Sequence, residues 1–536
     1  MESICLNVKN EAGMGIKLFI CPLSGKVVFI ILMLSIFCFG EIHVALAQNK
    51  KVHAPELAGG TAWFNVSKPL TIAELKGKMV LLDFWTYCCI NCMHIIPDLK
   101  KLEAKYPKEL VVIGVHSAKF ENERESENIR QAILRYEIEH PVVNDSNLAI
   151  WQAYGVRAWP TLVLIDPEGN IVGSDTGEGH YEVLDKLIGE FSSRYRSKNL
   201  INENPISLSL EKDKLGSSSL SYPGKVLADE TSSRLFIADS NHNRIIITDL
   251  EGEIIDIAGS GKMGKSDGSF AEANFKHPQG MTIHDENLYV ADTENHLIRK
   301  LDLQAKTVTT IAGTGNQAEF MASGGMGVSS PMNSPWDIVY LDDKLYIAMA
   351  GAHQIWVMDL DTKVFQPFAG SGREGIADGT LDGCSLAQPS GIAINDNKLY
   401  FADSEVSATR YVDLVKMSVK TLVGKGLFDF GDKDGNHEET RLQHPLGVTT
   451  YNGLIYVADT YNHKIKVINP TDNICRTFLG NGRAGYTDGK EPQFYEPGGL
   501  SVANNRLYVA DTNNHAIRVI DMKTKEVSTL QIKGIK

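Results

Sequence analysis

The ten residues DFWTYCCINC, numbered 83–92, decide the fold of the first part of the chain. They follow an apolar run, Met79 to Leu82, and precede a segment with helical character, Met93 to Ala104. Cys89 and Cys92 therefore lie at a predicted strand-to-helix turn, where unpaired N–H groups and the helix dipole stabilise a thiolate. Because the thiolate is the species that attacks disulfides, this placement indicates thiol–disulfide chemistry.

The spacing of the two thiols suits a two-step exchange. Sulfurs three positions apart on a first helical turn are neighbours, so Cys92 can resolve a mixed disulfide on Cys89. A Cys-x-x-Cys pair can also be half of a zinc site, which would need a further ligand such as His94 or His116. The third thiol, Cys88, is either a small buried residue or a second nucleophile.

The stretch resembles the active site of thioredoxin, whose pattern is D-F-W-x-x-W-C-x-x-C. Asp83, Phe84, Trp85 and the two spaced cysteines match this pattern in register. Residues 156–161 (VRAWPT) are similar to the family segment that contains a cis proline. The resemblance extends over roughly Val52 to Ser197 and includes features of the TlpA and ResA branch of extracytoplasmic thiol reductases.

The resemblance implies a role for each matched residue. It implies that Cys89 is the attacking thiol and Cys92 the resolving thiol. Asp83 is implied to be the buried carboxylate that takes the proton of the resolving thiol; burial disfavours its charged form, so it can accept a proton near neutral pH. Pro160 is implied to lie against the sulfurs, which would leave the backbone of Trp159 free to pair with an extended client.

Two positions depart from the thioredoxin pattern. Cys88 stands where the family usually has tryptophan, and the dipeptide between the thiols is Ile90-Asn91. That dipeptide tunes the reduction potential, for which about 30 mV corresponds to about 1.4 kcal/mol, so the direction of electron flow stays open. We count Cys88, Trp85 and Trp159 as auxiliary residues. The alternative hypothesis is a non-catalytic binding scaffold whose thiols no longer turn over.

Length and composition limit the possible classes. A chain of 536 residues predicts at least two domains. A hydrophobic content of 43% and a charged content of 22% are typical of soluble globular proteins, and the net charge of −13 argues against nucleic-acid binding. Three of the 8 cysteines precede residue 40 and three lie in the dithiol cluster, so a disulfide framework does not hold the protein together.

Residues 1–47 have the pattern of an export signal. Lys17 and Lys26 precede an apolar stretch, Val27 to Phe39, and residues 45–47 (ALA) form a cleavage site. The apolar stretch is shorter than the roughly 20 residues that span a membrane. We therefore expect an exported, periplasmic protein that begins near Gln48. An uncleaved anchor at residues 27–39 is the alternative, and only that anchor would bring the chain to a membrane.

Residues 48–197 alternate short apolar runs with helix-like segments, which predicts an α/β sheet with helices on both sides. The predicted strands are 79–84, 110–115 and 161–165, with a hairpin return at 170–173, and the predicted helices are 93–105, 122–138, 146–154 and 181–196. Residues 198–205 are polar, lack a strong pattern and form the predicted linker.

From residue 206 to residue 536 the chain repeats six times. Each unit contains a phrase such as LYVADTENHLIR, which begins at Leu288, and a proline turn precedes it. Four short strands without helical periodicity cover their faces only by stacking around an axis, so we predict a six-bladed β-propeller. One position of the phrase recurs at intervals of 52–57 residues, and its occupants are Asp239, Asp292, Met349, Asp403, Asp459 and Asp511.

The repeats resemble the NHL repeat, whose Asn-His-Leu run stands at residues 295–297. A thioredoxin-like domain with a Cys-Cys-Ile-Asn-Cys site followed by such a propeller is similar to the NHL-repeat-containing protein 2 family. We accordingly expect an exported thiol–disulfide oxidoreductase whose dithiol site and propeller face dock a protein client or redox partner. No metal and no cofactor is expected beyond a redox-active Cys89–Cys92 disulfide.

The recurrent histidines of the repeats could suggest a metal site or a catalytic site. Histidines recur at one repeat position, but recurrence is what a turn-fixing hydrogen bond produces, so we expect a structural role for His296, His353, His463, His515 and for Ser407, which replaces histidine in the fourth unit.

The third unit is irregular. Met349-Ala350-Gly351 replaces the Asp-Thr pattern, and a Gly/Met/Ser-rich insert, 317–331, precedes it. This irregularity indicates either the working face of the repeat scaffold or sequence drift. Cys384 and Cys475 are expected in connections on opposite propeller faces, without a bond between them.

Overall fold

The computed structural model describes residues 5–9, 15–19, 51–216 and 218–534. Near the N-terminus two short strands, β1 (Cys5–Lys9) and β2 (Gly15–Phe19), pair antiparallel. The apolar stretch 27–39 and the cleavage site 45–47 lie outside the described residues. Within the described part, the helices are all too short or too polar to span a bilayer.

The first domain is built on one mixed sheet of six strands. Its strands are β3 (Ala62–Phe64), β4 (Met79–Trp85), β5 (Leu110–His116), β6 (Val142–Asn144), β7 (Thr161–Ile165) and β8 (Ile171–Thr176). Its helices are α1 (Ile90–Lys105), α2 (Ser126–Arg135), α3 (Ala149–Ala153) and α4 (Tyr181–Arg196). The sheet order is β3-β6-β5-β4-β7-β8, with β4 parallel to β5 and antiparallel to β7.

The apolar composition of β4 follows from its central position. Every residue of β4 and β5 is buried, because elements cover both faces of the sheet at this point. Met79 and Leu81 pack on one face against α1 and α4, whereas Val80 and Leu82 pack on the other. The buried strand therefore ends at a fixed point in the domain, and the dithiol turn follows directly.

The predicted α/β fold is confirmed, with two local differences. The predicted helix 122–138 is shorter in the structure, where α2 covers Ser126–Arg135 and a short 3-10 turn (Asn122–Arg124) and the extended residue Glu125 precede it. The buried Glu123 carboxylate accepts the backbone N–H groups of Lys119 and Phe120, which precede this turn, and so ties the turn to the segment before it. Strands β3 and β6 were missed, since three residues are too few for a periodic signal.

The second domain is the predicted six-bladed propeller. Each blade is an antiparallel sheet of four consecutive strands, and two-residue strands extend blades two, three and four. Blades one to three contain β9 (Val226–Asp229), β10 (Arg234–Asp239), β11 (Arg244–Asp249) and β12 (Ile254–Ala258); β13 (Gly268–Ser269), β14 (Pro278–His284), β15 (Asn287–Asp292), β16 (Leu297–Asp302) and β17 (Thr307–Ala312); and β18 (Gly325–Met326), β19 (Pro335–Leu341), β20 (Lys344–Met349), β21 (Gln354–Asp359) and β22 (Val364–Ala369).

Blades four to six continue the pattern to the end of the described chain. They contain β23 (Gly379–Thr380), β24 (Pro389–Asn395), β25 (Lys398–Asp403), β26 (Ala408–Asp413) and β27 (Ser418–Val423); β28 (Gly447–Tyr451), β29 (Leu454–Asp459), β30 (Lys464–Asn469) and β31 (Ile474–Leu479); and β32 (Pro497–Ala503), β33 (Arg506–Asp511), β34 (Ala516–Asp521) and β35 (Val527–Thr529). The innermost strands pack in sequence around the axis, and β32 closes the ring against β9.

The recurrent histidines are structural, as predicted. Each accepts, through Nδ1, the backbone N–H of the residue before the next inner proline, at 3.0–3.2 Å. The acceptors are His296, His353, His463 and His515, while the Ser407 hydroxyl and the Asn243 side-chain carbonyl accept the equivalent bonds. These bonds link neighbouring blades and hold the pre-proline residues at positive φ.

Three of the recurrent aspartates, Asp292, Asp403 and Asp511, form fully buried ion pairs inside their blades. Asp292 pairs with Arg299 at 2.7 Å, and Asp403 pairs with Arg410 at 2.8 Å, all without solvent exposure. In blade three both partners are replaced together, by Met349 and by the buried indole of Trp356. Replacing both partners together leaves neither charge buried without its partner, and both new side chains lie in the apolar core of the blade.

The two propeller cysteines are free and buried. Cys384 lies in the connection between β23 and β24, as predicted. The prediction that Cys475 lies in a connection is wrong, because it occupies strand β31 and packs in the apolar core between blades four and five.

Candidate functional site

The dithiol turn connects the buried end of β4 to the start of α1. Cys89 is the N-cap residue of α1, with extended φ and ψ, and its carbonyl accepts the N–H of Cys92 at 3.1 Å. On the opposite side the buried Glu123 carboxylate accepts the N–H of Cys88 at 2.9 Å and the Thr86 hydroxyl at 2.7 Å. The turn is thus held from within its own domain, with Cys89 at the helix N-terminus.

The three thiols differ in exposure. All three are free; Cys89 is half-buried, whereas Cys88 and Cys92 are buried. Burial raises the pKa of both the Cys88 and the Cys92 thiol well above the usual value. The neighbouring Cys89 thiol raises the pKa of Cys92 further and so favours its protonated form. Of the three, Cys89 is therefore the thiol placed to attack, with Cys92 held beside it.

Asp83 lies in β4 behind the dithiol. Its side chain is 2% exposed, and desolvation raises the pKa of the carboxyl to about 7, with His140 opposing the shift. The Asp83 charge in turn contributes to the raised pKa of Cys92. A carboxylate with this pKa next to a buried thiol can exchange a proton with it near neutral pH.

The two tryptophans named from the sequence, Trp85 and Trp159, belong to the same apolar cluster as the three thiols. The Trp159–Pro160 peptide is cis, and Pro160 is buried. The Trp159 ring packs on Trp151 with centroids 4.6 Å apart. Trp85 is buried and meets His116 edge-on.

Cys89 opens into a cleft of about 200 Å³ between the two domains. One wall comes from the first domain and includes Thr86, Asn91, Lys119 and residues 157–159. The other wall comes from the propeller and consists of His353, Glu374, Gln388, Glu405, Leu427 and Phe428. The sequence does not predict this second wall, because no motif distinguishes its residues from other loop residues of the repeats.

Buried polar contacts hold the dithiol turn and its neighbours on the propeller. The Glu496 carboxylate of blade six is 1% exposed and accepts bonds from Tyr87 at 3.2 Å, Asn122 at 2.8 Å and Arg135 at 3.1 Å. Lys119 pairs with Glu405 of blade four, and both side chains are almost fully buried. The cleft is therefore a fixed feature of two domains that pack as one unit.

The irregular insert before blade three belongs to this interface. Gln317 donates through Nε2 to Glu178 at 3.1 Å and also contacts His94 Nδ1 at 2.8 Å. His94 Nε2 lies 2.8 Å from the Ser334 hydroxyl. The insert thus contacts the first domain on the side of α1 away from the cleft.

These contacts bear on the zinc hypothesis. His94 is engaged by Glu178 and Ser334, and His116 stacks on Tyr87 with its pKa lowered to about 3 by burial. In the described ranges, no group of three or more His, Cys, Asp or Glu residues is arranged to hold a metal ion.

A larger cavity of about 340 Å³ lies between α1 and the mouth of the propeller. Cys89 is not among its lining residues. Its charged groups already pair with one another, as His277 does with Glu294 and Arg135 with Glu496. Of these two cavities, only the cleft is lined by Cys89, so it is the candidate site.

We predict that Asp83→Asn stabilises the protein in a pH-dependent way. The folded-state pKa of about 7 exceeds the ordinary value of 3.8, so ionisation of the buried carboxyl destabilises the fold as pH rises through this range. The variant should gain a few kcal/mol at pH 8, of the order set by a shift of about three pKa units, and almost nothing at pH 4.

Thermal unfolding at both pH values measures the Asp83 effect. Asp361→Asn, on an exposed turn, is the matched control and should show no such difference. Equal melting temperatures for Asp83→Asn and the wild type at pH 8 would contradict the prediction, because they would show that the ionised Asp83 carboxylate does not destabilise the folded protein.

The fold and the site define a class of protein in which a thioredoxin-like domain is joined to an NHL-type β-propeller. Residues 77–171 match the thioredoxin-like family, and residues 442–468 and 494–520 match the NHL repeat. The chain is 44% identical over 525 residues to NHL repeat-containing protein 2 of Gallus gallus, covering 91% of this chain and 72% of that protein. The chain belongs to the NHL repeat-containing protein 2 family.

Two further relatives share all or part of this arrangement. Protein SUPPRESSOR OF QUENCHING 1, chloroplastic, of Arabidopsis thaliana is 45% identical over 506 residues, which cover 90% of this chain and 48% of the plant protein. Thiol-disulfide oxidoreductase ResA of Halalkalibacterium halodurans is 36% identical over 122 residues, covering 23% of this chain and 65% of that protein. The similarity to this thiol-disulfide oxidoreductase therefore extends over about as many residues as the first domain contains.

Proposed function

We propose that the protein is an exported thiol–disulfide oxidoreductase that works through Cys89 and Cys92. The observation that carries this proposal is the placement of a half-buried thiol at a helix N-terminus and a buried thiol three residues later, on the same first turn. The similarity of the first domain to an oxidoreductase supports the same chemistry. The propeller serves as the docking surface for the client or redox partner.

The first step forms a mixed disulfide. The Cys89 thiolate attacks one sulfur of a client disulfide, a bond forms between Cys89 Sγ and that sulfur, and the other client sulfur leaves as a thiolate. The second step resolves the adduct. Cys92 loses its proton to Asp83 and attacks Cys89 Sγ, which releases the second client thiolate and leaves a Cys89–Cys92 disulfide.

Two electrons have then passed from the protein to the client. A partner that carries a dithiol restores the starting state by the reverse exchange, in which its own thiols become a disulfide. The same steps run backwards oxidise a client dithiol, so the relative reduction potentials set the direction. Pro160, Trp85, Trp159 and Cys88 position the pair and take no part in electron transfer.

The cleft favours a client that presents its disulfide on an extended segment. Cys89 lies between two walls only a few side chains apart, in a space of about 200 Å³, which excludes the face of a folded domain. At the rim the Phe428 side chain is 72% exposed. An exposed aromatic ring next to a reactive thiol provides apolar contact for residues that flank the client cysteine.

The place of action follows from the N-terminal pattern. Export of the chain from about Gln48 would place the dithiol in the periplasm, and a retained anchor at residues 27–39 would tether it to a membrane. The net charge of −13 disfavours nucleic acid as a partner. A protein thiol or disulfide remains the expected partner.

Trapping tests the function. Cys92→Ser removes the resolving thiol, so mixed disulfides on Cys89 should accumulate when the exported protein is isolated without reductant. These adducts should disappear in Cys89→Ser/Cys92→Ser and persist in Cys88→Ser/Cys92→Ser, the matched control. Absence of adducts, together with no reduction of insulin by the wild type, would contradict the proposal and favour a non-catalytic scaffold.

The rim residue gives a test of client docking. Phe428→Ser should lower kcat/KM for a protein disulfide roughly tenfold, or about 1.4 kcal/mol, because apolar contact at the rim is lost. Its rate with a small disulfide reagent should stay unchanged.

Phe320→Ser is the control for rim docking, since Phe320 is 76% exposed on the blade-three insert and does not line the cleft. Equal effects of the two substitutions, or none, would refute a docking role for this rim.

A further inference from the structure

Gln388 of the propeller contacts both peptide groups that flank the attacking thiol. Its Oε1 accepts the backbone N–H of Ile90 at 2.9 Å, and its Nε2 donates to the carbonyl oxygen of Cys88 at 2.8 Å. One side-chain amide therefore brackets Cys89 from the second domain. Gln388 is 1% exposed, so these bonds are shielded from water.

The backbone of Gln388 is itself fixed. It has a φ of +60°, its N–H donates to His353 Nδ1 at 3.1 Å, and the Ser390 hydroxyl donates to its carbonyl at 2.9 Å. The inner strand β24 begins at the next residue, Pro389. The side chain that brackets Cys89 is thus held by blade three and blade four together.

We propose that Gln388 is a positioning residue for Cys89, through which the propeller sets the reactivity and the reduction potential of the dithiol. The inference rests on the proposed function, since it concerns the same two thiols. It adds that the second domain controls the chemistry as well as the docking of a partner.

The N–H of Ile90 is the first N–H of α1 and follows Cys89 directly. The N–H groups at a helix N-terminus stabilise a thiolate placed there. Gln388 Oε1 engages the N–H of Ile90 and brings partial negative charge next to Cys89. Gln388 Nε2 meanwhile fixes the orientation of the preceding peptide. A negative charge on this side chain should therefore destabilise the Cys89 thiolate. An apolar side chain, which leaves the Ile90 N–H free, should stabilise it.

Two substitutions of opposite expected sign test the inference in the full chain. Gln388→Glu adds a negative charge beside Cys89, so iodoacetamide should alkylate Cys89 about tenfold more slowly at pH 7. Because the thiolate form is disfavoured, the equilibrium with glutathione should also move toward the Cys89–Cys92 disulfide, which makes the reduction potential more negative. Gln388→Met frees the Ile90 N–H, and alkylation should become about threefold faster.

Gln443→Glu is the matched control. Gln443 is also buried in the interface, but its Oε1 accepts the N–H of Asn122 at 3.1 Å instead of bonding to the dithiol turn. Its alkylation rate and its equilibrium with glutathione should stay within about twofold of the wild type, since its charge is farther from Cys89. Melting temperatures of all variants verify that they are folded.

The outcomes separate the inference from the proposed function. Opposite shifts in the two Gln388 variants, with little change in Gln443→Glu, support the inference. Shifts of the same sign in all three variants, or no shift in either Gln388 variant, overturn it while leaving the proposed function intact. A wild-type dithiol that neither reacts with iodoacetamide nor equilibrates with glutathione overturns the proposed function and this inference with it.

Discussion

The arrangement of the two domains depends on the hydrogen bonds and the ion pair of one buried carboxylate, that of Glu496. It lies in blade six and accepts hydrogen bonds from Tyr87, Asn122 and Arg135 of the first domain. Arg135 is itself largely buried, so water cannot replace either partner of the ion pair if the other is removed. Removing one member of such a pair typically costs about 3–5 kcal/mol. This network holds the dithiol turn against the propeller and thereby forms the cleft around Cys89.

The repeat architecture explains how the propeller supplies these contacts. Each blade offers one residue before its inner proline, and histidine, serine or asparagine side chains hold all six at positive φ. The six are Tyr222, His277, Ser334, Gln388, His444 and Glu496. The repeat fixes the backbone at each position and leaves the side chain free to vary. Ser334, Gln388 and Glu496 bind His94, the dithiol turn and Arg135, respectively.

The sequence predicted most of the fold and half of the site. The stretch 83–92 and the recurring Asp-Thr phrase have fixed spacings, so they identify both domains and place Cys89, Cys92 and Asp83. Gln388, Glu405 and Phe428 could not be found in this way, because their role depends on how the domains dock. Local rules also failed at residues 122–125, where a tight turn replaces the start of the predicted helix and the buried Glu123 carboxylate binds the N–H groups of Lys119 and Phe120.

Amide hydrogen exchange in Glu496→Ala tests most directly whether the interdomain network positions the dithiol. The N–H groups of Ile90 and Asn122 bind Gln388 and Gln443 across the interface. Loss of the Glu496 carboxylate should make both exchange at least about tenfold faster, while Leu82 in the central strand stays protected. Unchanged exchange at Ile90 and Asn122 in the folded variant would show that the dithiol turn does not depend on the propeller, and would contradict the account.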